Sequence, residues 1–392
     1  PRLSGRVYFG EEMKDLIKKA KRIVIKFGTN ALSTDSGDLA LSRLYSFMED
    51  IAALRAQGKE IMVVTSGAVG MGKRRLGLTS APDVVSLKQA CAAVGQISLM
   101  KFYEDGFKQL GLVAAQVLLT EDDFAHRSRY LSLRDTLNRL LELGCIPVIN
   151  QNDTVSTNEI RGYKEKGIKV CFGDNDKLSA LVASGMDADL LCIMSDVEGL
   201  YNGDPRKDKN AKLIEVVKGV TPEIESLGFC ASSRGRGGMK TKLEAAKVVT
   251  HSGCAMVIAN GKTPGALGRV FSDEFTGTLF RPVADLPGKK VWIAYSTNMT
   301  GGVVVNAGAF KALCQKGASL LAAGITGVAG EFDVGDVISV FDENGAEFAK
   351  GMVNYSSADC GKILGCQSED IAKKLGGKNY DEVIHRDNIV IL

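Results

Sequence analysis

The sequence predicts an α/β fold, with a mainly parallel sheet sandwiched by helices, followed by a small β-rich domain. Apolar runs with few charges alternate with helical segments from Arg22 to about Phe280, whereas glycines and short β-like runs dominate the rest. A chain of 392 residues is also too long for one ordinary core. We therefore predict one domain over residues 17–283 and a second over 289–392.

The elements of the first domain follow from apolar runs and helical periodicity. Strands are predicted, in chain order, over RIVIKFG, EIMVVT, LVAAQVLL, CIPVIN, LLCIMS and AMVIAN. Helices are predicted over LALSRLYSFMEDIAALRAQG, SRYLSLRDTLNRLLELG and GMKTKLEAAKVVTHSG. The apolar face expected for the first of these helices consists of Leu41, Leu44, Met48, Ile51 and Leu54.

The second domain is predicted from a different pattern. A strand is expected over GVVVN, a helix around GAFKALCQKG, and a hairpin whose turn runs from Asp342 to Gly345 between two alternating runs. Since few other long helices are indicated there, this domain is expected to be built mainly from strands.

Composition excludes several classes of protein. With 45% hydrophobic residues, 24% charged residues and a net charge of +3, the chain has the balance of a globular protein and not that of a dedicated nucleic-acid binder. Its nine cysteines form no Cys-x-x-Cys pair and only three histidines occur, so we expect no protein-built metal site. Apolar runs stay below the ~18 residues of a membrane helix. We expect a cytoplasmic protein without a membrane segment.

The residues that follow the strands are the candidates for a site, because ligands of such sheets bind beyond the carboxyl ends of the strands. Lys26 and Gly28 lie at the end of the first strand. The Lys26 side chain there is expected either to contact a phosphate or to extend from the edge of the sheet into solvent. Asn150, Asn152 and Asp153 follow the fourth strand, where turn formation is the alternative explanation.

Two further loops add charge and glycine. The acidic run from Asp174 to Asp176 precedes a helix, and helix capping accounts for only one of its side chains. The glycine-rich stretch SSRGRGG lies at the start of another helix, where backbone amides and the helix dipole favour an anion. Lys240 and Lys242 lie in the first turn of that helix, a position that the dipole disfavours for a cation unless an anion is bound. Together these loops predict a phosphoryl-transfer site.

The motifs of these loops resemble those of the glutamate 5-kinases, of the amino acid kinase superfamily. The matching segments are KFGTNAL, VVTSGAVGMGKRRLG, KQACAAVGQ, LLTEDDFAHRSRYLSLRDTL, PVINQNDTVS, GDNDKLSALVA, SDVEGLYNGDPR and GRGGMKTKLEAA. The tail from Gly308 to Ser357 resembles the PUA domain that many members carry. The resemblance spans essentially the whole chain and implies the amino acid kinase fold.

The resemblance also implies roles for individual residues. Lys26 and Lys242 would be catalytic and contact the transferring phosphoryl group, and Asp176 would orient them. The residues that would bind glutamate are Ser66, Gly67, Asp153 and Asn175. Those that would bind ATP are Lys26, Gly28, Ser195, Asp196, Arg236, Gly237, Gly238, Met239, Lys240, Thr241 and Lys242.

The implied reaction converts ATP and L-glutamate to γ-glutamyl phosphate and ADP, the first step of proline biosynthesis, with Mg²⁺ carried on the nucleotide. Inhibition by proline and a homo-oligomer, a tetramer or a dimer, are also implied. Three features depart from the family pattern: Gln151 where a glutamate is common, Asn30 where a serine is common, and a long basic segment between Glu159 and Gly173. That segment is either a solvated surface loop, or a loop that affects closure of the site over the substrate or inhibition by proline.

Three alternatives remain. The acceptor could be aspartate or acetylglutamate, although the PUA-like tail disfavours this, or the tail could bind RNA, although it lacks a strong basic run. The third is a P-loop ATPase, since residues from Gly67 to Arg74 match G-x-x-x-x-G-K-[ST] except that Arg74 replaces the hydroxyl residue. We interpret this stretch instead as part of the glutamate site, with Lys73 on the surface of the following helix.

Overall fold

The computed structural model describes most of the chain, in two compact units. The described residues are 14–34, 39–79, 84–120, 122–155, 175–230, 238–283, 290, 293, 301–377 and 380–392. One unit comprises residues 1–120 and 134–285, and the other comprises 121–133 and 286–392. Residues 121–133, which the sequence places in the first domain, thus group with the second unit. The basic segment after Glu159, the linker at Pro287 and residues Arg236 and Gly237 lie outside the described residues.

An eight-stranded sheet forms the centre of the first unit. Its strands are β1 (Arg22–Phe27), β2 (Glu60–Val64), β3 (Ala114–Leu119), β4 (Ile146–Gln151), β5 (Leu190–Ser195), β6 (Val216–Val217), β7 (Ala255–Asn260) and β8 (Thr278–Phe280). They lie in the order β3-β4-β2-β1-β5-β7-β8-β6. Pairing is parallel from β3 through β7, and β8 runs antiparallel to β7. The predicted mainly parallel sheet is confirmed.

The longer helices are α1 (Leu41–Ala56), α2 (Ala68–Arg75), α3 (Val85–Gln109), α4 (Arg127–Glu142), α5 (Asn175–Gly185), α6 (Met239–His251) and, in the second unit, α7 (Ala307–Lys316). Shorter helical segments are Thr29–Leu32, Asp122–Ala125, Pro222–Ser226, Leu227–Cys230, Ala266–Val270, Ala322–Gly324, Ser357–Lys362, Ser368–Asp370, Ile371–Leu375 and Arg386–Asn388, together with residues 14–19.

Helix α1 packs its apolar face against the sheet. Leu44, Met48 and Ile51 are buried in the same core as the strand residues, and so is Leu54. The expectation for Leu41 is wrong, because this first residue of the helix is 44% exposed. Within the described residues, every helix is too short or too polar to span a membrane.

Helices α2 and α3 cross with their backbones in contact, and glycines allow it. An added Cβ at Gly72 would lie 1.7 Å from the carbonyl oxygen of Cys91, and one at Gly95 would lie 1.8 Å from that of Ala68. These distances are far inside van der Waals contact, so neither position accepts a side chain without moving a helix. The crossing therefore fixes α2, which follows β2 directly, against α3.

We expect Gly72→Ala to lower the free energy of unfolding by about 1–3 kcal/mol or more, because the new methyl group collides with the α3 backbone. Gly70→Ala is the matched control on the same helix, since an added Cβ there meets nothing within 4 Å. Alanine is the better helix former, so this variant should be as stable as the parent or slightly more so. Urea denaturation measures both. Equal stability of the two variants would contradict the crossing.

The second unit contains a five-stranded sheet. Its strands are β9 (Gly301–Val305), β10 (Ile325–Gly330), β11 (Val337–Phe341), β12 (Glu347–Met352) and β13 (Ile389–Ile391), in the order β10-β9-β11-β12-β13. The predicted hairpin joins β11 and β12 in antiparallel pairing, and Gly345 in its turn has a φ of 80°. Asn306 caps α7 by accepting a hydrogen bond from the amide of Ala309, at 2.8 Å.

Candidate active site

Two lysines and an aspartate form a buried ionic group at the carboxyl end of the first sheet. Lys26 lies near the end of β1, whereas Asp176 and Lys242 lie in the first turns of α5 and α6. The Lys26 Nζ lies 2.5 Å from Asp176 Oδ1, and the Lys242 Nζ lies 3.0 Å from Asp176 Oδ2. The lysines are each 5% exposed and Asp176 is fully buried.

The charge of this group favours binding of an anion. Burial by itself would raise the pKa of the Asp176 carboxyl, but Lys26 and Lys242 outweigh it and hold the pKa well below its usual range. The group therefore carries two positive charges and one negative charge. A net positive charge in a buried position is costly unless an anion compensates it. A phosphate group, with several charged oxygens, is one anion that two ammonium groups suit.

The start of α6 provides further donors beside Lys242. The helix begins after Gly238, which offers no side-chain cap, and none of the described side chains caps its first backbone amides. The Thr241 hydroxyl lies 3.1 Å from Asp176 Oδ2 and 2.9 Å from the carbonyl oxygen of Gly238. Lys240, in contrast to Lys242, is exposed. The first turn of α6 thus directs one lysine inward and the other toward solvent.

A cleft of about 400 Å³ opens beside this group. Among the residues predicted to bind ATP, those that line it are Ser195, Asp196, Gly238, Met239 and Lys242. Gly28 lies outside the cleft lining, but a Cβ added there would be 3.8 Å from the Lys26 Nζ. The predicted ATP residues Arg236 and Gly237 fall outside the described residues. Lys240 and Thr241 do not line the cleft.

Sequence reasoning missed several residues of the cleft. Asn260 lines it and donates a hydrogen bond to Glu198 Oε1 at 2.9 Å. Because Asn260 is the last residue of β7, the rule of inspecting strand ends could have found it. Asn30, noted only as a departure from the family pattern, donates to Asp196 Oδ2 at 2.9 Å. It thereby connects the loop after β1 to the loop after β5.

Polar residues also gather on the other side of β1, after β2. The Ser66 hydroxyl lies 3.0 Å from the carbonyl oxygen of Phe27, to which it donates, and 3.1 Å from the Thr29 hydroxyl. Gly67 follows with a φ of 105°, a left-handed conformation that favours glycine, and α2 begins at the next residue. Lys73 lies in the last turn of α2 and is half-buried.

A chain of side-chain amides extends from this loop toward β4. Asn175 donates to the carbonyl oxygen of Thr65 and to Asn150 Oδ1, the latter at 3.1 Å. Asn150 in turn donates to Gln96 Oε1 at 2.8 Å. Asp153, also predicted to bind glutamate, is half-buried in the turn after β4. The contribution of Gln96 on α3 was missed by sequence reasoning, because this residue follows no strand.

Comparison with known proteins agrees with this fold. A family model described as the amino acid kinase family matches residues 21–260, which is more than half of the chain, and a PUA domain model matches residues 301–375. The chain is therefore a member of the amino acid kinase family.

Full-length relatives narrow the family further. Glutamate 5-kinase of Caldanaerobacter subterraneus subsp. tengcongensis is 46% identical over 373 residues, covering 95% of this chain and 98% of the relative. Glutamate 5-kinase of Geobacter sp. strain M21 is 46% identical over 381 residues, covering 97% and 100%. The chain belongs to the glutamate 5-kinase family. The resemblance predicted from the motifs is thus confirmed.

Proposed function

We propose that this protein transfers the γ-phosphoryl group of ATP to the side-chain carboxylate of L-glutamate. The observation that carries the proposal is the buried group of Lys26, Asp176 and Lys242, which lies between the cleft at β5 and the polar residues after β2 and β4. Its excess positive charge suits the phosphoryl group, and the relatives that share nearly the whole chain are named glutamate 5-kinases. On this proposal, Ser195, Asp196 and the start of α6 bind ATP, whereas Ser66, Gly67, Asp153 and Asn175 bind glutamate.

The transfer step needs charge neutralisation more than covalent help. A γ-carboxylate oxygen of glutamate attacks the γ-phosphorus of ATP, the bond from that phosphorus to the β,γ-bridging oxygen breaks, and ADP leaves with the electron pair. No proton is transferred, because the carboxylate is already ionised. Two anions must meet, so the Nζ groups of Lys26 and Lys242 offset their repulsion and stabilise the charge that shifts to ADP. Asp176 holds both ammonium groups in place.

Magnesium is proposed as the ion carried by the nucleotide. The described residues include no group of three or more His, Cys, Asp or Glu side chains that could hold a metal. The Asp196 carboxylate lines the cleft and is the candidate protein ligand for a Mg²⁺ that would be held mainly by phosphate oxygens and water. The ion would neutralise charge on the phosphates.

The remaining features are proposed from the family resemblance. They are a role in proline biosynthesis, inhibition by proline, a homo-oligomer and a cytoplasmic location. RNA binding by the second unit and a different acceptor remain alternatives predicted by the sequence. No described contact favours either of them.

Trapping of the acyl phosphate tests the proposed function. The full chain is incubated with ATP, Mg²⁺, hydroxylamine and one of three acceptors, L-glutamate, L-aspartate or N-acetyl-L-glutamate, and hydroxamate is measured. We expect γ-glutamyl hydroxamate with glutamate and little product with the other two. Product with aspartate or N-acetylglutamate but none with glutamate would contradict the proposal.

The link between Asn30 and Asp196 predicts an effect on nucleotide binding. Asn30→Ala removes one hydrogen bond to a carboxylate that lines the cleft, so we expect the KM for ATP to rise roughly threefold to tenfold with a smaller change in kcat. Asn30→Asp should have a larger effect, since it places two carboxylates side by side. Initial rates at varied ATP and saturating glutamate measure both. An unchanged KM for ATP in both variants would show that the link is dispensable.

A further inference from the structure

Gln96 is a buried side chain whose amide nitrogen lacks a hydrogen-bond partner among the described residues. It is 8% exposed and lies on α3, directly after the glycine that brings this helix against α2. Its oxygen accepts a hydrogen bond from Asn150, whereas its Nε2 has none. A buried N–H group without an acceptor is costly, so such a group calls for a ligand or another explanation.

The orientation of the Gln96 amide follows from the chain of hydrogen bonds that reaches it. The carbonyl oxygen of Thr65 can only accept, so Asn175 must present its nitrogen to it, and that nitrogen also donates to Asn150 Oδ1. Because the Asn150 oxygen is already used, its nitrogen faces Gln96 and must donate to the Gln96 oxygen. The Nε2 of Gln96 is therefore the free end of the chain, and it offers two N–H donors.

The chemistry of this end selects an oxygen. Nε2 donates hydrogen bonds but cannot accept them. It therefore suits a carboxylate, whose oxygens only accept, and does not suit an ammonium group, which only donates. The residue before Gln96, Gly95, packs against Ala68, the first residue of α2, and Gly67 before it provides no side-chain cap. A helix N-terminus also favours negative charge. Both features point to one carboxylate of the bound amino acid.

The position of Asn150 in the sheet indicates which of the two carboxylates of the acceptor amino acid lies near Gln96. Lys26 on β1 pairs with Val64 on β2, which pairs with Ile149 on β4, so Asn150 lies one residue beyond the level of Lys26. The strand spacing puts β4 about 10 Å from β1, on the side away from the nucleotide cleft. The carboxylate that receives the phosphoryl group must lie at the lysines. The one near Gln96 is therefore the other carboxylate.

We propose that Gln96 Nε2 donates a hydrogen bond to the α-carboxylate of the acceptor amino acid and so selects acceptors that carry one. The inference rests on the proposed function and adds a residue and a basis for specificity to it. A hydrogen bond to a charged group that is made equally before and during phosphoryl transfer affects KM and leaves kcat unchanged.

The test is Gln96→Glu, which keeps an oxygen for Asn150 and replaces the donor by an oxygen. We expect the KM for glutamate to rise about tenfold to a hundredfold, with kcat and the KM for ATP little changed. The comparison compound is 4-aminobutyrate, which has the reacting carboxylate but lacks the α-carboxylate. The weak activity with 4-aminobutyrate, or the constant with which 4-aminobutyrate inhibits the reaction of glutamate, should change far less than the KM for glutamate. Gln109→Glu, at an exposed position on the same helix, is the control.

A second variant separates recognition from folding. Gln96→Met removes both hydrogen-bonding atoms at similar length, and we expect the same rise in the KM for glutamate even if the melting temperature falls. An unchanged KM for glutamate in the Glu variant, or equal losses with glutamate and 4-aminobutyrate, would overturn the inference. If the parent protein forms no γ-glutamyl hydroxamate, the proposed function has failed instead, and the two failures are thus distinguished.

Discussion

Replacement of Lys242 by methionine is expected to lower kcat by about 10²–10³ while the protein still folds. The substitution removes one of the two ammonium groups that we propose face the transferring phosphoryl group. It leaves the ion pair between Lys26 and Asp176 intact. Because this pair has no net charge, its burial is not made more costly by the substitution. The KM values for glutamate and ATP should change less than kcat, because the lost interaction strengthens as charge develops.

Steady-state kinetics with hydroxamate detection measures this effect. Lys247→Met on the same helix is the control, since its ammonium group lies in an exposed ion pair with Glu225. It should retain near-parental turnover. Near-parental turnover in Lys242→Met as well would remove Lys242 from the proposed mechanism.

Replacement of Asp176 by asparagine is expected to have the larger effect on stability. The change leaves the ammonium groups of Lys26 and Lys242 buried together without a counter-charge, which costs about 3–5 kcal/mol when one partner of a buried ion pair is lost. Turnover should also fall by at least the factor expected for Lys242→Met, because neither lysine is held in place. The variant therefore differs from Lys242→Met in losing stability and activity together.

The dependence of this loss on pH provides an internal check. Because the folded-state pKa of Asp176 is lowered, its ionisation stabilises the folded protein above the unfolded pKa of about 4, and that contribution is lost as pH falls toward the folded value. The stability difference between the parent and Asp176→Asn should be largest near neutral pH and shrink below about pH 4. Urea denaturation over this range measures it. A difference that stays constant with pH would contradict the ionic origin.

The fold could be predicted largely from local patterns. The runs LLCIMS and AMVIAN match β5 and β7 residue for residue, because central parallel strands are buried on both faces and read as continuous apolar segments. The periodicity of α1 gave its buried face except at Leu41, where the first turn of the helix leaves the core. The reversed strand β8 is only three residues long, too short for a pattern to indicate its direction.

The candidate site could be predicted where it follows strands and not where it depends on packing. Lys26 and Asp153 follow apolar runs, and Lys242 follows a glycine-rich turn, so each has a local signal. Gln96 ends the matching segment KQACAAVGQ, but no local pattern indicates that it reaches Asn150 from the middle of α3, at the level where two glycines let helices touch. The difference between Lys240 and Lys242 likewise depends on the rotation of α6 about its axis.

The central claim is that phosphoryl transfer takes place at the group formed by Lys26, Asp176 and Lys242. A crystal structure of the chain with ADP, Mg²⁺, L-glutamate and aluminium fluoride, which mimics the transferring group, tests it most directly. We predict fluoride atoms within about 3 Å of the Nζ atoms of both lysines. Aluminium fluoride bound instead at the loop from Gly67 to Lys73, with ADP phosphates on its backbone amides, would contradict the account.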